Sequence, residues 1–307
     1  MKIAVGGAAA YLALGELGYE KVLNRKYTNT KNIERIVNED LYKYYGQPED
    51  QADADAWFVA MHPEDVAVVN SAGNTMYCNI LKQKEYTDKW AVVVHGYTSC
   101  PRGMAAQARY FYQKGFHVLM PTLVSFGVDP QKYCSMGYKD KDYVKEWIYY
   151  ITDMDADAKI AVLGVSMGSA TTMLVTGEEL PENVKCAVAD CGYTSAWDEF
   201  VSEMKTHYHL PAFPMLYAAN TVSKLRGNFD FKKCSPVQAV ARSKTPTLFI
   251  HGEQDSFVPY WMFGKVFDAC TAEKERLSVP DARHAESCDI HPEIYYPALD
   301  KFIDKYI

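Results

Sequence analysis

The chain has 307 residues, 48% of them apolar and 23% charged, with a formal net charge of −7. That is chain enough for one sizeable α/β core in an ordinary globular composition. The acidic balance and the lack of any basic run exclude a broad phosphate-binding surface, so no nucleic-acid partner is expected.

Residues 3–14 are apolar and rich in small side chains behind a single Lys2, and Ala13-Leu14-Gly15 resembles a small-x-small cleavage pattern. The run is too short to span a bilayer unaided, and Glu16 and Glu20 follow closely. Three readings stay open: a weak export signal, a shallow anchor that would bring the protein to a membrane, or a helix packed on the domain. Ile33, Ile36, Val37, Leu41 and Tyr44 recur at helical spacing, which predicts an amphipathic helix over 32–45. Residues 46–56, with Pro48, read as a polar linker. The expected division is therefore an amino-terminal segment, 1–56, and a main domain, 57–307. That domain should open with a hairpin: strands at 66–69 and 75–81 around Ser71-Ala72-Gly73-Asn74.

From Trp90 onward strands alternate with helical stretches. This predicts an α/β fold with a mainly parallel sheet and helices on both faces. Strands are expected at 91–94, 116–120, 159–163, 186–189, 247–250 and 277–279. Helices are expected at 104–114, 143–151, 261–270 and 293–306. Eight cysteines are scattered without a Cys-x-x-Cys pair, which predicts reduced thiols in a cytoplasmic compartment rather than a metal site or a disulfide framework.

The most informative stretch is Gly164-Val165-Ser166-Met167-Gly168, between an apolar run and an Ala/Thr/Leu-rich helical segment. Strand, turn and helix in that order are the context of a nucleophile elbow. A serine on so sharp a turn exposes its Oγ, and the turn leaves no room for side chains two residues to either side. The N–H of Met167 opens the helix and points where an oxyanion would form.

A serine nucleophile needs a base, and the base needs an orienting acid. Among the histidines, His95 and His251 end strands and read as structural, His117 reads as core, and His62 is remote from any motif. His207 and His209 lie in a long insertion without a carboxylate motif to complete a metal site, so no metal or organic cofactor is expected. His284, just past the last strand, is the candidate base, with His291 as its rival. Asp255, in the loop after 247–250, is the candidate acid, with Asp190 as the alternative. The order Ser166, Asp255, His284 is that of the α/β-hydrolases, and each lies where open α/β sheets build their sites. The insertion at 193–243 reads as a lid, and His207, Tyr208, Phe213 and Leu216 within it are candidate substrate-binding residues.

From about residue 57 to its end the chain resembles an α/β-hydrolase, and more narrowly the bacterial single-domain serine hydrolases akin to the dipeptidyl aminopeptidase/acylaminoacyl peptidase group. The resemblance is carried by His95-Gly96-Tyr97-Thr98-Ser99, Ser135-Met136-Gly137, Gly164 to Gly168, Asp190-Cys191-Gly192-Tyr193-Thr194-Ser195, His251-Gly252-Glu253-Gln254-Asp255 and His284. It implies Ser166 as nucleophile, His284 as base and Asp255 as its partner, with the backbone N–H groups of Tyr97 and Met167 as oxyanion hole. The chain departs from the pattern at Pro121-Thr122-Leu123-Val124-Ser125-Phe126-Gly127, where polar groups near the pocket mouth are usual, and at Asp281, where glycine is usual. The lack of a His-Gly-Gly-Gly run argues against the lipase/esterase branch that uses it. The expected activity is hydrolysis of small-molecule carboxylic esters through an acyl-enzyme. Peptide or amide cleavage, thioester cleavage or acyl transfer by the same residues stay open, as does a non-catalytic binding protein of this fold. Oligomeric state is not legible.

Overall fold

The computed structural model describes residues 2–24 and 49–307. The chain begins with α1 (Lys2–Leu23), followed by α2 (Glu49–Ala60) and the hairpin strands β1 (Glu64–Val69) and β2 (Thr75–Leu81). The helix expected over 32–45 lies outside the described residues. The stretch read as a polar linker is instead helical from Glu49 and runs across position 56. Its alanines favour a helix, and Ala54 and Phe58 are buried in the core shared with the helix after β3. Between β1 and β2 the Asn70 side chain accepts from the N–H groups of Ala72 and Asn74, and Gly73 supplies a φ of +80°.

The α/β part follows the expected alternation. β3 (Lys89–Val94) leads through a short 3-10 turn into α3 (Ala105–Gln113), β4 (His117–Pro121), α4 (Asp140–Met154), β5 (Lys159–Val165) and α5 (Met167–Thr176). After β6 (Val184–Asp190) the insertion supplies α6 (Ala196–Thr206), α7 (Met215–Gly227) and α8 (Pro236–Val240). The chain closes with β7 (Thr247–Gly252), α9 (Trp261–Ala269), β8 (Lys274–Val279), α10 (Ser287–Ile290) and α11 (Pro292–Ile303).

The eight strands form one sheet in the order β1-β2-β4-β3-β5-β6-β7-β8. β2 pairs antiparallel with β1 and β4, and every other pairing is parallel. Alternate side chains of the central strands enter opposite cores. Val92, Val94, Ile160 and Val162 face the core shared with α4 and the insertion, while Ala91, Val93, Ala161 and Leu163 face that shared with α3 and α11. Burial on both faces explains why these strands read as unbroken apolar runs.

In the structure the amino-terminal run is a helix packed on the domain. α1 lies against α7 of the insertion, with Tyr19 and Leu23 buried. The contact is close because of two glycines. A Cβ on Gly15 would fall 2.4 Å from the Ala218 carbonyl oxygen, and one on Gly18 would fall 3.2 Å from the Ala219 Cβ. Among the described residues no helix is long and apolar enough to cross a membrane. All eight cysteines are free thiols, seven of them buried.

Candidate active site

β5 delivers Ser166 into the site at φ 58° and ψ −121°. A non-glycine residue in that region carries about 1–3 kcal/mol of strain, held here by the surrounding contacts. The Ser166 N–H donates to the Asp190 carbonyl at 2.9 Å. The flanking glycines are obligatory: a Cβ on Gly164 would fall 2.1 Å from the Gly168 carbonyl oxygen, and one on Gly168 would fall 2.1 Å from that of Val94. The strand–turn–helix crossing therefore closes only without those side chains.

Ser166, Asp255 and His284, each in a loop after its own strand, meet at the carboxyl edge of the sheet. His284 Nε2 lies 2.8 Å from Ser166 Oγ, and His284 Nδ1 lies 2.8 Å from Asp255 Oδ2. An ionised carboxylate only accepts, so Nδ1 carries the proton and Nε2 accepts from the serine hydroxyl. Asp255 is saturated. Its Oδ1 accepts from the N–H groups of Phe257 (3.0 Å) and Val258 (2.9 Å), and its Oδ2 also faces His251 Nε2 at 3.2 Å. Burial alone would raise its pKa. The neighbouring His284 and the hydrogen bonds from His251 and His284 outweigh burial and hold the carboxyl at about 2.

The alternatives identified in the sequence sit elsewhere. Asp190 accepts from the Tyr295 hydroxyl at 3.1 Å, and burial lifts its pKa to about 6. His291 Nδ1 pairs with Glu293 at 2.7 Å at the start of α11. His95 is structural as expected. Its Nδ1–H donates to the Gly96 carbonyl (2.8 Å), its Nε2 accepts from the Leu123 N–H (3.1 Å), and burial lowers its pKa to about 4, so it stays neutral. His117 begins β4 half-buried, accepting from the Gln83 N–H at 3.0 Å. His251 is also buried, but its contact with Asp255 makes it a support of the site that its position at a strand end did not reveal.

Cys191 brings a thiol within 4.8 Å of the donor atoms of Asp255 and His284. Burial, with the carboxyls of Asp190 and Asp255 nearby, pushes this thiol well up, so it stays a neutral and poor ligand. The other two donors are already engaged with each other.

The candidate oxyanion donors flank the serine. Met167 is the first residue of α5, where an N–H has no intrahelical partner. Gly96 runs so close to the elbow that a Cβ there would lie 3.3 Å from the Ser166 Cβ, and the next residue, Tyr97, lines the same cavity as Ser166. The two departures from the family pattern have local reasons. The 121–127 turn is buried and braced, with the N–H of Val124 donating to Asp140 at 2.7 Å and Phe126 standing edge-on to Tyr97 at 5.9 Å. Asp281 adopts φ 58°, a left-handed conformation that aspartate tolerates better than most residues. Gly252, at the end of β7, must lack a side chain beside that loop, since a Cβ on it would meet the Ala282 carbonyl oxygen at 2.3 Å.

A cavity of about 490 Å³ opens beside Ser166, walled largely by apolar side chains that include Leu17, Val22, Met136, Phe200, Leu216 and Phe231. Of the four candidate substrate contacts, Tyr208 and Leu216 line it and His207 and Phe213 do not. His207 instead lies 3.0 Å from Glu203, and Phe213 is 65% exposed, edge-on to Tyr217. Both flank a loop whose direction no periodicity sets. Sequence reasoning missed the contribution of α1 to this wall and the two carboxyls, Glu199 and Glu203, that line it.

Fold and family together define a serine hydrolase of the α/β-hydrolase fold. Residues 136–307 match the model of the prolyl oligopeptidase family, and the chain belongs to that family. It is 23% identical over 219 residues to the uncharacterized protein YqkD of Bacillus subtilis, covering 71% of this chain and 72% of that one. It is 24% identical over 323 residues to the α/β hydrolase domain-containing protein WAV2 of Arabidopsis thaliana, covering 99% of this chain and 92% of the relative. Among solved structures, the Pyrococcus furiosus esterase Pf2001 superposes with a TM-score of 0.66 at 19% identity, over 81% of this chain and 95% of the esterase. The Pyrococcus horikoshii acylaminoacyl peptidase superposes with a TM-score of 0.57 at 16% identity, over 79% of this chain and 41% of the peptidase.

Proposed function

We propose that the protein hydrolyses small-molecule carboxylic esters through an acyl-enzyme on Ser166. The observation that carries this reading is the continuous chain Ser166–His284–Asp255, with both links at 2.8 Å, opening on an apolar cavity. In the first step Ser166 Oγ attacks the ester carbonyl carbon while His284 Nε2 takes its proton. The N–H groups of Tyr97 and Met167 receive the charge that develops on oxygen, each such donor being worth about 3 kcal/mol in the transition state. Imidazolium returns the proton to the departing alcohol, and water then repeats the sequence on the acyl-enzyme. Asp255 holds the tautomer and stabilises the imidazolium without taking its proton, in keeping with its low pKa.

Two features favour esters over amides. The wall is mostly apolar and suits an acyl chain. The esterase Pf2001 is matched over 95% of its length, the acylaminoacyl peptidase over 41%. The working domain in this reading is 57–307, with 193–243 as its lid and α1 as an added wall. Matched p-nitrophenyl ester, anilide and thioester substrates of one acyl chain test the assignment. The ester should turn over fastest and the anilide slowest; faster anilide cleavage would move the assignment to a peptidase.

A further inference from the structure

The proposed reaction leaves two acidic side chains of the cavity without a task. Glu199 and Glu203 stand one turn apart on α6 and line the same space as Ser166. Glu199 is only 2% exposed, and neither of its carboxyl oxygens has a hydrogen-bond partner. Glu203 Oε1 lies 3.0 Å from His207 Nδ1, an ion-pair distance without the alignment of a hydrogen bond. The other buried carboxyls around the site are better supplied. Asp255 has three hydrogen-bond donors and faces His251 besides, Asp140 has Ser135, Val124 and Gly137, and Asp190 has Tyr295.

An unpartnered carboxyl is costly to bury, and a leucine at either position would serve an apolar acyl pocket better. Burial, followed by the nearby carboxyls of Glu203 and Asp255, pushes the Glu199 pKa well up, which disfavours its charged form in the empty cavity. A ligand that supplies a positive charge reverses that balance, because its attraction offsets the cost of ionising the acid. An alkyl group leaves the oxygens unmatched. The exposed Lys21 lines the same cavity and makes no ion pair with either carboxyl among the described residues.

We propose that Glu199 and Glu203 form a cation-recognising subsite, so that the ester cleaved at Ser166 carries an organic ammonium group on its acyl or alcohol part. The cleavage half of this inference rests on the ester-hydrolase reading; the binding half does not.

Calorimetric titration of Ser166→Ala protein with n-hexylammonium chloride and with 1-hexanol tests the binding half without turnover. Hexylammonium should bind tighter than hexanol by roughly ten-fold or more, the worth of a charge-assisted contact. Adding Glu199→Gln should remove that preference while the circular dichroism spectrum stays that of the folded protein. Equal affinities, or a preference untouched by Glu199→Gln and Glu203→Gln, would overturn the subsite. With the active enzyme, butyrylcholine against 3,3-dimethylbutyl butyrate reports an ammonium on the alcohol side. The p-nitrophenyl ester of 6-(trimethylammonio)hexanoate against that of hexanoate reports the acyl side. Faster cleavage of the charged member in either pair supports the subsite and places the charge. If the cation binds and no ester turns over, the ester reading fails and the subsite stands.

Discussion

The hydroxyl of Tyr97 donates to the backbone carbonyl of Val22 at 2.6 Å, tying the last turn of α1 to a residue proposed as an oxyanion donor. The amino-terminal helix is therefore a wall of the cavity as well as a neighbour of α7. Gly15→Val tests this. Its Cβ would meet the Ala218 carbonyl oxygen at 2.4 Å, a backbone atom that cannot yield without moving α7. The substitution should cost about 2 kcal/mol of stability, as overpacking does. It should raise KM for p-nitrophenyl octanoate more than for the acetate, because the displaced helix lines the acyl cavity; steady-state kinetics on both esters reads the difference.

At the elbow, Gly168→Ala places a methyl group 2.1 Å from the Val94 carbonyl oxygen, at the crossing of β3 and α5. The expected outcome is loss of turnover together with about 3 kcal/mol of destabilisation, read by urea unfolding alongside the ester assay. An alanine variant of wild-type activity would show that the crossing is looser than these distances require.

His251→Leu removes the imidazole that faces Asp255 Oδ2 and bonds the Val258 carbonyl, and leaves the His284 contact in place. Loss of a contact to a charged group should lower stability at neutral pH by about 2 kcal/mol. Asp255 has a folded pKa below its ordinary value of 3.8, so its contribution is present above that value and lost as pH falls toward about 2. The variant should therefore show a smaller loss of stability across that acid window than wild type, measured by unfolding at a series of acid pH values.

Asp190 has the opposite sign. Burial raises its pKa from 3.8 to about 6, so the folded protein binds this proton more tightly than the unfolded chain does. Stability from this group is complete below the ordinary value and falls as pH rises through about 6, by about 3 kcal/mol at most for a shift of this size. Asp190→Asn should flatten the stability profile between those two pH values, with the comparison made on urea midpoints.

Ser166, Asp255 and His284 were legible because each follows an apolar run, and a buried parallel strand leaves that mark before its functional loop. The hairpin was legible from Ser71-Ala72-Gly73-Asn74 and the alternation around it. α2 was not, since its sequence is polar and becomes an ordered helix through docking of Ala54 and Phe58. For α1 the useful signal was Gly15 and Gly18 on one face, which permits close helix contact but does not name the partner. Glu199 and Glu203 look in sequence like the solvated face of a helix, and only their placement at the cavity shows otherwise. His207 and Phe213 were assigned to the pocket by residue type, and the local turn directed them elsewhere.

The central claim is that Ser166 carries the acyl group. Rapid mixing with p-nitrophenyl butyrate, acid quench and peptide mass analysis tests it most directly. One butyryl group is expected on the peptide containing Ser166, none in Ser166→Ala, and turnover in that variant reduced by about 10⁴-fold or more. Acylation of another residue, or a Ser166→Ala protein that keeps its turnover, would contradict it.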